Sequence, residues 1–186
     1  MTQMIFNESI NYIQKKIKQI LNSVSKEDID SVKGLFFKAN RIFVYGAGRS
    51  GLVAKAFAIR LMHLGFQTFV IGETITAPVQ KGDLTVIISG SGETIPAVMT
   101  AEIAQNLDAY VISITAKKKS EIAKYADVTL YIASMCDEIE RKKFAPLGTL
   151  FEASVWILLD GLIADLLESK KETEETMRSR HATLEQ

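Results

Sequence analysis

The sequence predicts an α/β fold, a three-layer αβα sandwich built on a five-stranded parallel sheet. Three observations point to it. Five short apolar runs, 42–45, 68–71, 84–89, 110–114 and 128–132, are rich in Val, Ile and aromatic residues, and several are apolar on both faces. Helical patterns lie between most of them, and strands apolar on both sides between helices belong to parallel sheets covered on both faces. Two of the runs close on glycine-and-hydroxyl loops that open into helices, Gly46-Ala47-Gly48-Arg49-Ser50-Gly51 and Ser89-Gly90-Ser91-Gly92-Glu93-Thr94.

The elements follow in order. Phe6, Ile10, Ile13, Ile17, Leu21 and Val24 recur in steps of three and four, which gives an amphipathic helix over 3–22 with Lys15, Lys16 and Lys18 on its polar side. Ser25 with Asp28 is an N-cap pair for a second helix ending near Lys38. Between the strands the helices read as 52–64, 95–106 and a short 120–125. A long apolar helix over 150–167 carries Trp156, and the charged tail 168–186 reads as helical. Pro78, Pro96 and Pro146 all suit turns or first helical turns.

At 186 residues the chain is expected to form one domain, residues 1–186, with a substantial core. The formal net charge is zero, which argues against a nucleic-acid or anionic-membrane partner. One cysteine, Cys136, excludes an internal disulfide and a multi-cysteine metal site, and fits a reduced, cytoplasmic setting. The N-terminus lacks a signal-peptide pattern, and no apolar stretch approaches the ~18 residues of a membrane span.

A strand, a glycine turn and a helix N-terminus make an anion site, because the first helical N–H groups lack partners and the macrodipole adds positive charge. The two loops align at one offset, which places Thr94 on Ser50. The first also matches the dinucleotide fingerprint G-x-G-x-x-G, with Glu73 near the position of a ribose-binding acid. The second offers three hydroxyls, Ser89, Ser91 and Thr94, among backbone groups freed by Gly90 and Gly92, which suits a compact phosphate monoester. The alternative is that these hydroxyls only cap a helix.

Glu152 opens the long apolar helix. Thr149-x-x-Glu152 has the form of a capping box, although a helix N-terminus can also face a cleft. His63 sits near a predicted helix C-terminus and reads as structural or as a subunit contact; His181 lies in the charged tail. Neither has a second ligand at metal spacing, so no metal is expected. Lys117-Lys118-Lys119 and Arg141-Lys142-Lys143 read as solvated faces, the second close enough to Glu152 for a minor role beside an anion.

Together, Gly46–Gly51, Arg60-Leu61-Met62-His63-Leu64-Gly65, Gly72-Glu73-Thr74, Ser89-Gly90-Ser91-Gly92, Leu147-Gly148-Thr149-Leu150-Phe151-Glu152 and Arg180-His181-Ala182 carry a resemblance. They resemble the sugar isomerase (SIS) domain and, within it, the 6-phospho-3-hexuloisomerase family, over nearly the whole chain. The resemblance implies a flavodoxin-like, Rossmann-like topology and interconversion of 3-hexulose 6-phosphate and fructose 6-phosphate. It implies phosphate held by Ser89, Gly90, Ser91 and Thr94, a sugar bordered by Gly48, Arg49 and Ser50, and Glu152 as the catalytic carboxylate. It further implies that His181 is donated across a subunit interface. No metal or redox cofactor is implied, and the assembly is a homo-oligomer, commonly a tetramer, with helix 3–22 and tail 168–186 as contacts. Three alternatives stay open: a non-catalytic sugar-phosphate sensor, disfavoured because no DNA-binding module precedes Arg41, an isomerase of a pentose or heptose phosphate, and, trailing these, a dinucleotide-dependent oxidoreductase.

Overall fold

Along the third strand, β3 (Leu84–Ile88), Leu84, Val86 and Ile88 enter one apolar cluster while Ile87 enters another. Alternate strand residues point to opposite faces, so this sheet is buried on both sides. The computed structural model describes residues 2–133 and 137–183, so Cys136 and the last residues of the predicted tail lie outside the described residues. The other strands are β1 (Ile42–Gly46), β2 (Thr68–Val70), β4 (Tyr110–Thr115) and β5 (Val128–Tyr131). All pairings are parallel, in the order β2-β1-β3-β4-β5. Val44 stands at the centre, in register with Val70 on one side and Val86 on the other.

Helices cover both faces. On one lie α1 (Thr2–Asn22), α2 (Lys26–Lys38), α3 (Arg49–His63) and α7 (Thr149–Lys170), whose apolar residues join the larger cluster. On the other lie α4 (Ile95–Asn106) and α5 (Glu121–Lys124). The helix α4 meets the sheet through Ala97, Ala101 and Ala104, small enough to let its backbone come close. Ser25 caps α2 as predicted, accepting from the Asp28 N–H at 3.1 Å.

This strand order places the functional crevice. From β1 the chain passes through α3 outward to β2, and then returns past β1 to β3. Loops leaving the C-terminal ends of β1 and β3 therefore diverge to opposite faces, and ligands of open α/β sheets bind where such loops part. Both glycine-and-hydroxyl loops lie there.

The structure revises three expectations. The tail is not one continuous helix: α7 ends at Lys171, in the left-handed region at φ 55°, and a short α8 (Glu174–Arg178) restarts behind Thr173. There is an additional helix, α6 (Glu138–Phe144), where only a charged cluster was read. Asp137 caps it by accepting from the Ile139 and Glu140 N–H groups. None of its residues is buried, so it carries no apolar period to be read. Finally, α3 begins at Arg49 rather than Leu52, which places Arg49 and Ser50 in its first turn.

Candidate functional site

Each glycine of the first loop has a local task. A Cβ on Gly46 would lie 2.6 Å from the Ser50 carbonyl carbon, and one on Gly51 would lie 2.6 Å from the Gly46 oxygen. These two glycines let strand and helix touch. Gly48 caps α3 with φ 57° and ψ −129°, a conformation that favours glycine. Close packing and a tight turn thus account for the G-x-G-x-x-G pattern without a nucleotide. Glu73, the candidate ribose acid, instead pairs with Lys55 of α3 at 2.5 Å.

The second loop is knitted by its own hydroxyls. The Ser89 oxygen accepts from the Gly92 N–H at 3.2 Å and donates to Thr94 Oγ1 at 3.3 Å. The Ser91 oxygen accepts from the Glu93 N–H at 3.2 Å and lies 3.4 Å from Thr94 Oγ1. Thr94 occupies the N-cap of α4, yet its side chain makes no cap bond. Its hydroxyl turns toward the two serines, so the reading of these residues as mere helix caps fails for Thr94. Gly92 has φ 65°, and a Cβ there would lie 2.4 Å from Ser120 Cβ. Gly90 faces Phe151 of α7, whose Cδ1 would be 3.1 Å from an added Cβ. That contact brings the start of α7 against the loop.

Glu152 then follows directly after Phe151. The capping box suggested by Thr149-x-x-Glu152 does not form: Gly148 is the N-cap and no side chain caps the helix. Thr149 Oγ1 instead donates to the Pro146 carbonyl at 2.6 Å. The Glu152 carboxylate accepts from Arg49 Nε and nestles against Gly148, where a Cβ would lie 2.9 Å from Oε1. Its side chain is 13% exposed and that of Arg49 70%.

Ser50, Gly90, Ser91, Arg141, Gly148 and Glu152 share one cavity of about 310 Å³. That volume lies at the small end of ligand pockets, ~300–1,000 Å³. Arg141 belongs to the cluster whose sequence reads as a solvated face with a minor role beside an anion open to it. Its neighbours Lys142 and Lys143 are indeed exposed, but Arg141 is drawn inward and its Nη1 donates to the Leu147 carbonyl at 3.1 Å. No local pattern distinguishes it from the two lysines; only the path of the 145–148 turn does.

His181 is not brought to this cavity within the protomer. Its ring stacks on His63, centroids 4.0 Å apart and planes at 19°. The pair lines a second cavity, of about 280 Å³, between α3 and α7, with Arg60, Trp156 and Asp160. Arg49 and His63 end a helix of 15 residues, about 22 Å at 1.5 Å per residue, so the two cavities mark opposite ends of α3. A third, largely apolar depression lies between them, bounded by Arg49, Leu52, Val53, Glu152, Trp156 and Ile157. Among the described residues no three His, Cys, Asp or Glu side chains group as metal ligands, and no helix is long and apolar enough to cross a membrane.

A parallel sheet in this order, with a hydroxyl-and-glycine loop at its switch point and a carboxylate lining the same cavity, defines the class as a doubly wound α/β protein with a crevice at the strand C-terminal ends. Comparison with known proteins makes the class specific. The SIS domain model matches residues 35–150, and the chain belongs to the SIS domain family. It is 37% identical to the 3-hexulose-6-phosphate isomerase of Bacillus subtilis, over 96% of this chain and 100% of that protein. With the 3-hexulose-6-phosphate isomerase of Methylomonas aminofaciens it shares 36% identity over 96% of this chain and 99% of that one. A Methanococcus jannaschii protein, whose crystal structure was taken to infer 3-hexulose-6-phosphate isomerase function, matches with a TM-score of 0.85 at 33% identity, over 95% of this chain and 99% of that chain. The resemblance and the fold class drawn from the sequence are thus borne out.

Proposed function

We propose that the chain is a cytoplasmic isomerase that interconverts D-arabino-3-hexulose 6-phosphate and fructose 6-phosphate through an enediolate. The placement of Glu152 carries this reading: a nearly buried carboxylate shares a cavity with the hydroxyl-and-glycine loop that suits a phosphate. The relatives named as 3-hexulose-6-phosphate isomerases match along nearly their whole length, which supports the same substrate.

Ser89, Gly90, Ser91 and Thr94 hold the phosphate, which does not react and whose binding energy positions the carbons. Gly48, Arg49 and Ser50 border the sugar. Glu152 removes the proton from C2 of the 3-hexulose, giving an enediolate across C2 and C3, and returns it to C3. A hydroxyl proton passes from the C2 oxygen to the C3 oxygen in the same cycle. Atoms and electrons balance within the sugar, so the reaction calls for no external oxidant or reductant, and in this reading Glu152 moves the proton without a metal.

His181 acts in a neighbouring subunit's site. The outer face of α3 and α7 exposes Leu52, Ile59, Trp156 and Ile157, an apolar patch that a second copy can cover. The Arg49–Glu152 pair lies at one end of this face and the His63–His181 pair at the other. A two-fold axis passing near Ala56, midway along α3, and the neighbouring Trp156 sets each Glu152 end against His181 of the partner subunit. On the other layer α4 exposes Ile95, Met99 and Ile103 in steps of four, while on the α3–α7 layer Met4 and Phe6 of α1 are exposed. A second apolar face allows two such dimers to join as a homotetramer of single-domain chains, with the terminal helices at its contacts.

The decisive assay follows fructose 6-phosphate formation from 3-hexulose 6-phosphate, with a chelator present and no nicotinamide. Turnover is expected. Absence of turnover, with a pentose phosphate converted instead, would overturn the substrate.

A further inference from the structure

We propose that Arg180 is a positioning residue: it latches the C-terminal tail onto the end of α3 and so fixes the ring of His181. The inference rests on the reading of His181 as a residue that acts on the sugar. Arg180 Nη1 donates to the carbonyl of His63 at 2.8 Å and to Glu172 Oε2 at 3.1 Å, and Nη2 donates to Glu172 Oε1 at 2.9 Å. His63 is the last residue of α3, where helix carbonyls lack intrahelical partners and the dipole favours a cation. One guanidinium therefore closes a helix end and binds a carboxylate bidentately, a geometry that an ammonium cannot reproduce.

The surroundings are shaped to receive it. Thr176 Oγ1 donates to Glu172, which holds the carboxylate in place from the first turn of α8. The guanidinium lies over Gly65, where an added Cβ would sit 3.2 Å from Arg180 Cζ and where φ is 79°. Met177 inserts into the main apolar cluster and anchors α8. His181 is the next residue after Arg180, and its ring stacks on the ring of the same His63 whose carbonyl Arg180 holds. Backbone and ring of His63 thus grip consecutive tail residues, which sets both the position and the tilt of the His181 imidazole.

The test compares Arg180→Gln, Arg180→Lys, Glu172→Gln, His181→Ala and the double variant Arg180→Gln/His181→Ala, each checked for unchanged assembly by sedimentation. Arg180→Gln is expected to lower kcat about tenfold or more with KM within about twofold, as expected for a displaced catalytic group. Glu172→Gln, which keeps the cation, shifts kcat the same way but less, and Arg180→Lys restores only part of the loss. The double variant is expected to be no slower than His181→Ala alone, because the latch works only through that ring. Multiplying losses, or a wild-type kcat in Arg180→Gln beside a slow His181→Ala, would overturn the latch and leave the role of His181 standing. Wild-type turnover in His181→Ala would instead overturn the role of His181. Amide exchange over 172–183 then decides the latch by itself: faster exchange in Arg180→Gln supports it, and unchanged exchange removes it.

Discussion

Arg49 donates through Nε to the carboxylate of Glu152, joining the first turns of α3 and α7 across 103 positions of sequence. Arg49 is mostly exposed, so the pair adds little to stability, about 0–1 kcal/mol by the measure of surface ion pairs. Its consequence is geometric. It holds the Glu152 carboxylate, which folds back against Gly148 at the start of its own helix, beside Arg49 at the start of α3.

Replacement of Glu152 by Gln preserves shape and the ability to accept from Arg49 but removes the base. Turnover is expected to fall about 10²-fold or more with little change in KM or melting temperature. Steady-state kinetics beside a thermal melt would check this. Near-wild-type turnover would leave Glu152 as no more than a tie between two helices.

Ser91→Ala is expected to act on binding. The hydroxyl is the exposed member of the Ser89–Ser91–Thr94 cluster, so its loss leaves the buried Ser89 contacts to Gly92 and Thr94 in place. A hydrogen bond to a charged group contributes about 1.5–3 kcal/mol, so KM should rise about 10- to 100-fold with kcat nearly kept. The inhibition constant of inorganic phosphate should rise in parallel. A loss confined to kcat would contradict the assignment of phosphate to this loop.

The strands were legible because buried parallel strands must be apolar on both faces, and each predicted strand end falls within one residue of the observed one. What could not be read locally is what depends on a distant partner. Thr149-x-x-Glu152 has the form of a capping box, but the turn at Pro146 takes the threonine and Arg49 takes the glutamate. Arg141 looks like its lysine neighbours until the Leu147 carbonyl draws it into the cavity. The stacking of His63 and His181 joins a helix end to the tail with no signal in either segment. The Gly46–Gly51 loop is ambiguous in sequence for a different reason: strand–helix packing and a turn need the same glycine spacing as a dinucleotide site.

Acid is expected to loosen the tail before the core unfolds. Hydrogen bonds from Arg180, and next from Thr176, hold the Glu172 carboxyl below its ordinary value. A depressed pKa in the folded state stabilises the docked tail above the ordinary carboxylate range, about pH 4, and that contribution is lost as pH falls through the depressed value. Protection of the 172–183 amides, taken relative to their intrinsic exchange at each pH, should therefore fall on acidification below about pH 4, ahead of the sheet. In Arg180→Gln this added pH dependence should be smaller, because only the Thr176 hydrogen bond and the Lys170 charge then hold the carboxyl down. An equal loss of protection in both proteins would separate Glu172 from tail docking.

The donation of His181 to a neighbouring site can be tested without a structure of the assembly. Glu152→Gln and His181→Ala chains are each expected to be slow alone, because every site lacks one group. If His181 of the partner subunit completes the site, a hybrid dimer holds one site with both groups intact and one with neither. Random exchange of equal amounts makes about half of the dimers hybrids, so activity should recover to about a quarter of wild type. If each site used its own His181, every site in the hybrid would keep a single defect and mixing would recover nothing. Trp156→Glu supplies the control, since a charge at the centre of the exposed α3–α7 face should split the pair. It should abolish recovery and leave the circular dichroism of the separated protomers unchanged.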